Sequence, residues 1–529
     1  MTADILPSGP DSDAQELEAL SRKFHVDVAA TVPDDMLNPE LVASLPVEWA
    51  RAHAMLPVHY QGRVAVLTAQ PADISGQKHL ELLLGRELVP VLASRESILS
   101  AIERCYFSRQ ETPKEFLRDL DQPAASAVVA SRSDDLLQVA ENAPVTQLIN
   151  LILLEAVKAG ASDVHVEPFE SRLRVRYRID GLLYDQASPP KHIELALISR
   201  LKVMSRMDIS EKRLPQDGVA RVRIGEREID IRVSTIPVAE GERVVLRLLN
   251  RNVVLLPLSG LGLSADMRAS LESILQESHG VILVCGPTGS GKTTTLYAAL
   301  QRLNKDRTNI LTIEDPIEYQ LPDIGQIQVK PKIGLTFAAG LRHILRQDPD
   351  TILVGEIRDL ETAEISIRAS LTGHLVFSTL HTNDAPSAII RLIDMGIEPY
   401  LLAASLRAVL AQRLVRCLCP ACRERVPVVD PALALPPTVK ASLGKYPVWQ
   451  ARGCPACLEG YRGRIGLFEL MIVDAEIAEA IRTGDSDCRL LVELAVRKGM
   501  TTLLDDGLAK MAQSITSLSE ILRTIGKFG

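Results

Sequence analysis

At about 150 residues per domain, a chain of 529 residues has room for three or four domains. Its 46% hydrophobic and 24% charged residues exclude wholesale disorder, and 59 Lys and Arg against 67 Asp and Glu, a net charge of −8, argue against a surface built mainly to coat nucleic acid or anionic lipid. Aromatics at 4% leave an aliphatic core and little material for base-stacking platforms.

The first twenty residues hold five acids and no Lys or Arg, the reverse of a signal peptide, and no apolar run reaches the ~18 residues of a membrane span. A cytosolic protein is expected, in which eight cysteines do not serve as structural disulfides. Residues 1–15 read as a loose tail and 16–107 as a small domain mixing helices with short strands such as VAVL; residues 108–135 lack a sustained period and read as a linker. A second domain follows over 136–252. Val145, Leu148, Ile149, Ile152, Leu153 and Ala156 recur at helical spacing, with Gly160 as a stop. In RLRVRYRIDG, Leu173, Val175, Tyr177 and Ile179 alternate with Arg172, Arg174, Arg176 and Arg178, which predicts a half-buried strand. The segment ARVRIGEREIDIRVSTI is expected to turn at Gly225-Glu226, with Arg221 and Arg223 on one face and Asp230, Arg232 and Ser234 on another.

Residues 253–529 carry the chemistry. The run Val281–Val284 leads into Gly286, Pro287, Thr288, Gly289, Ser290, Gly291, Lys292, Thr293 and Thr294 and then a helical pattern: G-x-x-x-x-G-K-[ST] between strand and helix, the setting of a P-loop. The glycines let backbone N–H groups turn toward phosphates, Lys292 reaches the β and γ phosphates, and the Thr293 hydroxyl suits Mg²⁺. ATP binding follows. Hydrolysis needs carboxylates as well, and the sequence offers Glu314 and Glu356, each after an apolar strand, with His374 and His381 at the two ends of the next such run. Further on, Cys419, Cys422, Cys454 and Cys457 form two C-x2-C knuckles about 30 residues apart, the donor set of a structural Zn²⁺; Cys417 is a spare or an alternative to Cys419. Cys105, Cys285 and Cys488 read as buried or incidental thiols.

GPTGSGKTTTLYAAL, LTIEDPIEY, ILRQDPDTILVGEIRD and TGHLVFSTLHTNDA resemble, in order and spacing, the Walker A, Asp, Walker B and His boxes of bacterial secretion ATPases, and ASDVHVEPFESRLRVRYRIDG, EKRLPQDG and GERVVLRLLN resemble that superfamily's second N-terminal domain. The cysteine knuckles point to the type II secretion and type IV pilus assembly branches, and IDIRVSTIPVAEGERVVLRLL looks closer to the general secretion pathway protein E family. The resemblance implies an α/β chain: a RecA-like P-loop ATPase domain with a zinc subdomain at 417–465 and C-terminal helices at 466–529, preceded by an α+β, PAS-like sheet domain and an N-terminal docking domain.

It further implies a cytoplasmic homo-hexamer that uses ATP and Mg²⁺ to drive pseudopilus assembly, held peripherally at the inner membrane by a bitopic protein and a polytopic platform protein. Nucleic acid is not among the implied partners. Carried onto this sequence, Arg232 and Arg247 contact phosphate, Arg342 and Arg346 are interface candidates, Glu314 polarises water, Glu356 holds Mg²⁺ through water, and His381 with His374 senses the γ-phosphate. The competing readings are a pilus-assembly motor and, more remotely, a zinc-containing nucleic-acid translocase. The chain shows no RLGxxL-type repeat of the kind that binds cyclic di-GMP in some relatives.

Overall fold

In the computed structural model, the residues described here are 17–108, 112–120, 143–250, 256–426, 447–483 and 488–526, apart from 18, 30, 43, 44, 225, 226 and 304. The chain divides into two compact units: Met1–Ile179 with Leu183–Leu248, and Asp180–Leu182 with Leu249–Gly529. Among the described residues no helix is long and apolar enough to cross a membrane.

The first unit holds two sheets. In one, β1 (Asp27–Val28), β2 (Met55–Tyr60), β3 (Arg63–Thr68) and β4 (Val89–Leu92) run in the order β1-β4-β3-β2. The hairpin β2/β3 reverses at Gln61 and Gly62, both with positive φ, the requirement of a tight two-residue turn. Leu56, Val66, Leu67, Leu80, Ile98 and Ile102 close its core against helices Ile74–Leu84 and Arg95–Ser108. The expected linker needs correction. Pro113–Leu120 is a helix that buries Phe116 and Leu117. Its start is a capping box, in which the Thr112 amide donates to the Glu115 carboxylate at 2.8 Å and the Glu115 amide donates to Thr112 Oγ1 at 3.3 Å. The rest of that stretch lies outside the described residues.

The other sheet, β7-β6-β5-β10-β9-β8, is made of β5 (Asp163–Pro168), β6 (Leu173–Ile179), β7 (Leu182–Ala187), β8 (Gln216–Ile224), β9 (Arg227–Val238) and β10 (Gly241–Asn250). Leu173, Val175, Tyr177 and Ile179 are buried and the intervening arginines half-buried, so the alternation on β6 is as expected. Helix Ala143–Lys158 buries all six of the apolar positions that its period marks, and Tyr177 Oη donates to the Ile152 carbonyl at 2.6 Å. One expectation fails on register. Arg221 stands directly opposite Asp230, Arg223 opposite Glu228 and Val219 opposite Arg232. Residues opposed across an antiparallel pair share a face, so Arg221, Arg223, Asp230, Arg232 and Ser234 all lie on one side, and Arg221 Nε donates to Asp230 Oδ1 at 3.1 Å. The Gly225-Glu226 turn falls outside the described residues.

The second unit is built on the sheet β13-β12-β14-β15-β11-β16-β19: β11 (Gly280–Cys285), β12 (Ile310–Glu314), β13 (Gly325–Gln328), β14 (Thr351–Val354), β15 (Leu375–Leu380), β16 (Leu406–Leu418) and β19 (Tyr461–Ile472). Every pair is parallel except β16/β19. Both faces are covered, which is why β11, β14 and β15 are predominantly apolar and are buried throughout, Ser378 and Thr379 included. The expected boundary of the C-terminal helices also shifts, since Gly466–Ile472 completes β19 and the helices begin at Ala475.

β16 continues seven residues past Ala411, the partner of the last residue of β11, and there the short pair β17 (Glu424–Val426) and β18 (Val448–Gln450) and the cysteine knuckles are inserted before β19. The last described helix, Leu518–Ile525, is fastened to the same strand. Glu520 accepts from Arg416 and Arg523 and from the Arg416 amide, and the Arg416 guanidinium lies 4.0 Å from the Tyr461 ring centroid. Burial pushes the Glu520 carboxyl up, but the hydrogen bonds and charges of Arg523 and Arg416 outweigh it and bring the pKa down to about 2 from 4.5. A depressed acid stabilises above its unfolded pKa and loses that stabilisation as pH falls through its folded value. Glu520→Gln is therefore expected to cost about 3 kcal/mol at neutral pH. Urea melts should show the deficit against wild type shrinking between pH 4.5 and about 2.

Candidate active site

Parallel strands place their C-terminal ends on one edge, so Gly286, Glu314, Glu356 and His381 are brought to the same side of the sheet by the order β12-β14-β15-β11. β11 hands the chain to the loop Gly286–Gly291, and helix Lys292–Arg302 starts at once. Gly286, Gly289 and Gly291 have φ of 149°, 78° and 89°. A Cβ on Gly286 would sit 2.4 Å from the Gln412 carbonyl and one on Gly291 2.8 Å from Gln412 Nε2, so β16 presses the loop into its turn and only glycine fits. The unpaired N–H groups of the first helical turn and the helix dipole then favour an anion in the loop. Lys292 Nζ donates to the carbonyls of Gly286 and Pro287 at 2.8 and 3.0 Å, which holds its charge over the loop, and burial lowers its pKa. Ser290 is buried beneath; Thr293 and Thr294 are half-buried in the first turn.

The two carboxylates differ. Glu314 is 3% exposed, and its oxygens accept from Tyr297 Oη, from Thr312 Oγ1 at 2.6 Å and from Gln326 Nε2 at 3.0 Å. Glu356 is more open; it accepts from Arg358, and His381 Nε2 is 3.4 Å from its Oε2. Burial pushes the Glu356 carboxyl up, and Arg358 with His381 more than reverses this, leaving it below the ordinary carboxylate range. Glu356 is thus an anion beside Lys292 and suits a divalent cation.

His374 stands apart from the others. It precedes β15 whereas His381 follows it, and Gly280, at the start of the P-loop strand, donates its amide to the His374 carbonyl at 3.1 Å. Six residues of strand, about 20 Å, put His374 at the far edge of the sheet from its own chain's P-loop. There its Nδ1 lies 2.8 Å from the Ala369 carbonyl at the end of helix Leu360–Leu371.

The arginines are engaged locally. Arg247, exposed on β10, pairs with Asp163 at 3.0 Å, and Arg178 approaches the same carboxylate at 3.7 Å. Arg232 is half-buried on β9. Both belong to the first unit, whereas Arg342 and Arg346 sit on and just after helix Phe337–Ile344 of the second. Arg342 pairs with Glu361, and Arg346 Nη2 lies 2.6 Å from His343 Nδ1.

The ligand atoms of Cys419, Cys422, Cys454 and Cys457 all lie within 4.8 Å of one another, with Sγ separations of 3.9 Å for 419/454, 3.7 Å for 422/457 and 3.6 Å for 454/457. A Zn²⁺ with ~2.3 Å bonds to a sulfur tetrahedron requires edges of about 3.8 Å, so the donor set fits the ion. Cys417 lies on β16 outside the cluster, which settles the choice in favour of Cys419. Cys285, the last residue of β11, is fully buried and burial pushes its thiol up to about 12.

Residues 138–523 match the model of the type II/IV secretion system protein family. The chain belongs to that family. Residues 27–112 also match the MshEN domain. Among the relatives, a type II secretion system protein E of Dickeya dadantii is 46% identical over 92% of this chain and 98% of its own length. A type IV pilus assembly ATPase, PilB, of Myxococcus xanthus is 42% identical over 98% of this chain and 92% of its own. The solved structure of the pilus retraction motor PilT with bound ADP superposes with a TM-score of 0.50 at 26% identity, covering 71% of this chain and 96% of that one. The Legionella pneumophila ATPase DotB, at 20% identity, shares the fold with a TM-score of 0.53 over 70% and 94%. The second unit is thus a RecA-like domain, and this member of the secretion family is an ATP hydrolase.

Several side chains at this family site escape a reading by motif. Gln412 accepts from Thr295 Oγ1 at 2.8 Å and so braces the P-loop helix from β16; Arg413 beside it donates to Asn383 Oδ1 at 2.8 Å, tying down the loop that carries His381. Arg358 pairs with Glu356, and Tyr297 and Gln326 hold Glu314. For Gln412, Arg413, Tyr297 and Gln326 the partner comes from another element, so the pairing shows only once the fold is known.

Proposed function

We propose that the protein is the ATP-driven motor of a type II secretion system. It works as a homo-hexamer in the cytoplasm, is held at the inner membrane by a bitopic protein and a polytopic platform protein, and drives pseudopilus assembly. The observation that carries the reading is the gathering of the Lys292 loop, Glu314, Glu356 and His381 on one sheet edge in a chain whose relatives include type II secretion proteins. Such an edge supplies what phosphoryl transfer needs, which is a positioned triphosphate, a held nucleophile and charge stabilisation.

In this reading the loop amides and Lys292 grip the β and γ phosphates. Thr293 and Glu356 would hold Mg²⁺, Glu356 through water, and the ion when bound neutralises phosphate charge. Glu314 orients the attacking water, and His381 reports the γ-phosphate to the loop that follows β15. Arg232 and Arg247, with Arg342 and Arg346 at subunit contacts, complete the site electrostatically, and domain closure on the nucleotide becomes stepwise motion round the ring. Cys419, Cys422, Cys454 and Cys457 would hold a structural Zn²⁺.

Because sites completed by neighbouring subunits need assembly, specific activity is expected to be low in dilute solution and to rise with protein concentration as rings form. Turnover per protomer that stays constant across the dilute range contradicts assembly. The M. xanthus relative favours a second reading, a pilus-assembly motor with the same chemistry. Isolating the full-length chain from host membranes with its bound partners tests both: a type II secretion platform protein supports the first, and a pilus platform protein the second.

A further inference from the structure

Tyr297 sits five residues after Lys292 on the P-loop helix, about 7.5 Å along its axis. It is fully buried, and its ring packs edge-on against Tyr319 with centroids 4.7 Å apart at 88°. Its hydroxyl meets Glu314 Oε2 while Thr312 and Gln326 occupy Oε1. Burial and the nearby Glu314 both push the phenol upward, so it stays protonated and donates. The other ionisable groups at this place are Tyr319, pushed up to about 12 by burial, and Glu318. A carboxylate offers about four lone-pair sites, and three donors leave one. Burying such an anion for packing alone is a poor bargain, because an apolar pair of the same volume fills a core at lower cost.

We infer that Tyr297 is a positioning residue for hydrolysis: its hydroxyl fixes the Glu314 carboxylate so that the remaining lone pair faces the attacking water. This rests on the reading above in which Glu314 orients that water. One helix then begins with the groups that grip the phosphates and carries, one and a half turns later, the group that aims the nucleophile's partner. The spacing between the two is set by a rigid element and not by loops.

The test is steady-state ATPase kinetics of the full-length chain with Mg²⁺ for Tyr297→Phe and, separately, Glu314→Gln, with ADP affinity and melting measured on the same samples. Tyr297→Phe is expected to lower kcat about 10-fold, the loss of one hydrogen bond to a charged group, with KM for ATP, ADP affinity and melting close to wild type. Gln326→Leu, which removes a different donor from the same carboxylate, should likewise lower kcat with KM for ATP unchanged. If Glu314→Gln is inactive while Tyr297→Phe keeps the wild-type kcat, the inference is overturned. A kcat loss that comes with lost ADP binding marks Tyr297 as structural and overturns it too. Should Glu314→Gln turn over at the wild-type rate, it is the reading of Glu314 that fails, and the inference with it.

Discussion

Lys292→Ala is expected to abolish ATP turnover, lowering kcat by about 10³-fold or more, while the fold and the cysteine cluster stay intact. The ammonium is the cationic side chain of the nucleotide loop, held over it by the carbonyls of Gly286 and Pro287. Partial burial already disfavours its charge, and arriving phosphate oxygens restore the balance, so the side chain binds the developing charge of the transferring phosphoryl more strongly than it binds water. Alanine removes the charge without disturbing the helix, since it is the best helix former and position 292 is the first helical residue. A phosphate-release assay at saturating ATP checks the result, with melting as the control. A variant that hydrolyses at the wild-type rate would remove the P-loop from the mechanism.

The second large effect concerns the metal cluster. Cys419→Ser replaces one of four thiolates by a hydroxyl that does not ionise near neutral pH, and the remaining three sulfurs keep an open coordination position. Bound metal per chain, read by atomic absorption after dialysis, is expected to fall from about one toward none. With the metal goes its contribution to the folded state, and each kcal/mol lost lowers melting by about 2–4 °C in a domain of this size. The knuckles sit where β16 leaves the sheet and β19 enters it, and Glu520 and Arg416 fasten the last helix to the same place, so the loss should spread into the C-terminal helices while ADP still binds. Unchanged metal content and melting would contradict the four-thiolate site.

Much of the site was legible because its chemistry is local in sequence. The P-loop is one contiguous segment, the cysteines come in two short pairs, and buried parallel strands announce themselves as apolar runs whose last residues must lie on one edge. What alternation cannot give is the phase between two strands. Arg221 and Asp230 each obeyed their own strand's period, yet only the register shows that they share a face. His374 and His381 mark the two ends of one apolar run, and six residues of strand carry them to opposite edges of the sheet. Tyr297 was hidden for a different reason: inside the apolar period of GKTTTLYAAL it reads as core, and its partner comes from a strand that the sequence does not place beside it. The helix at Pro113 was missed because a turn or two is too short for a period to emerge, although Thr112 and Glu115 mark its start.

The thiol of Cys285 lies directly beneath the nucleotide loop, wholly enclosed and far from ionised at neutral pH. Maleimides and iodoacetamide, which attack thiolates within reach of solvent, will pass it by and react first with half-exposed sulfurs such as Cys422, Cys454 and Cys457. Inactivation by such a reagent, and any protection from it by zinc, would therefore report on the knuckles rather than on the phosphates, and a label meant to follow nucleotide binding has to be placed on a cysteine introduced for the purpose.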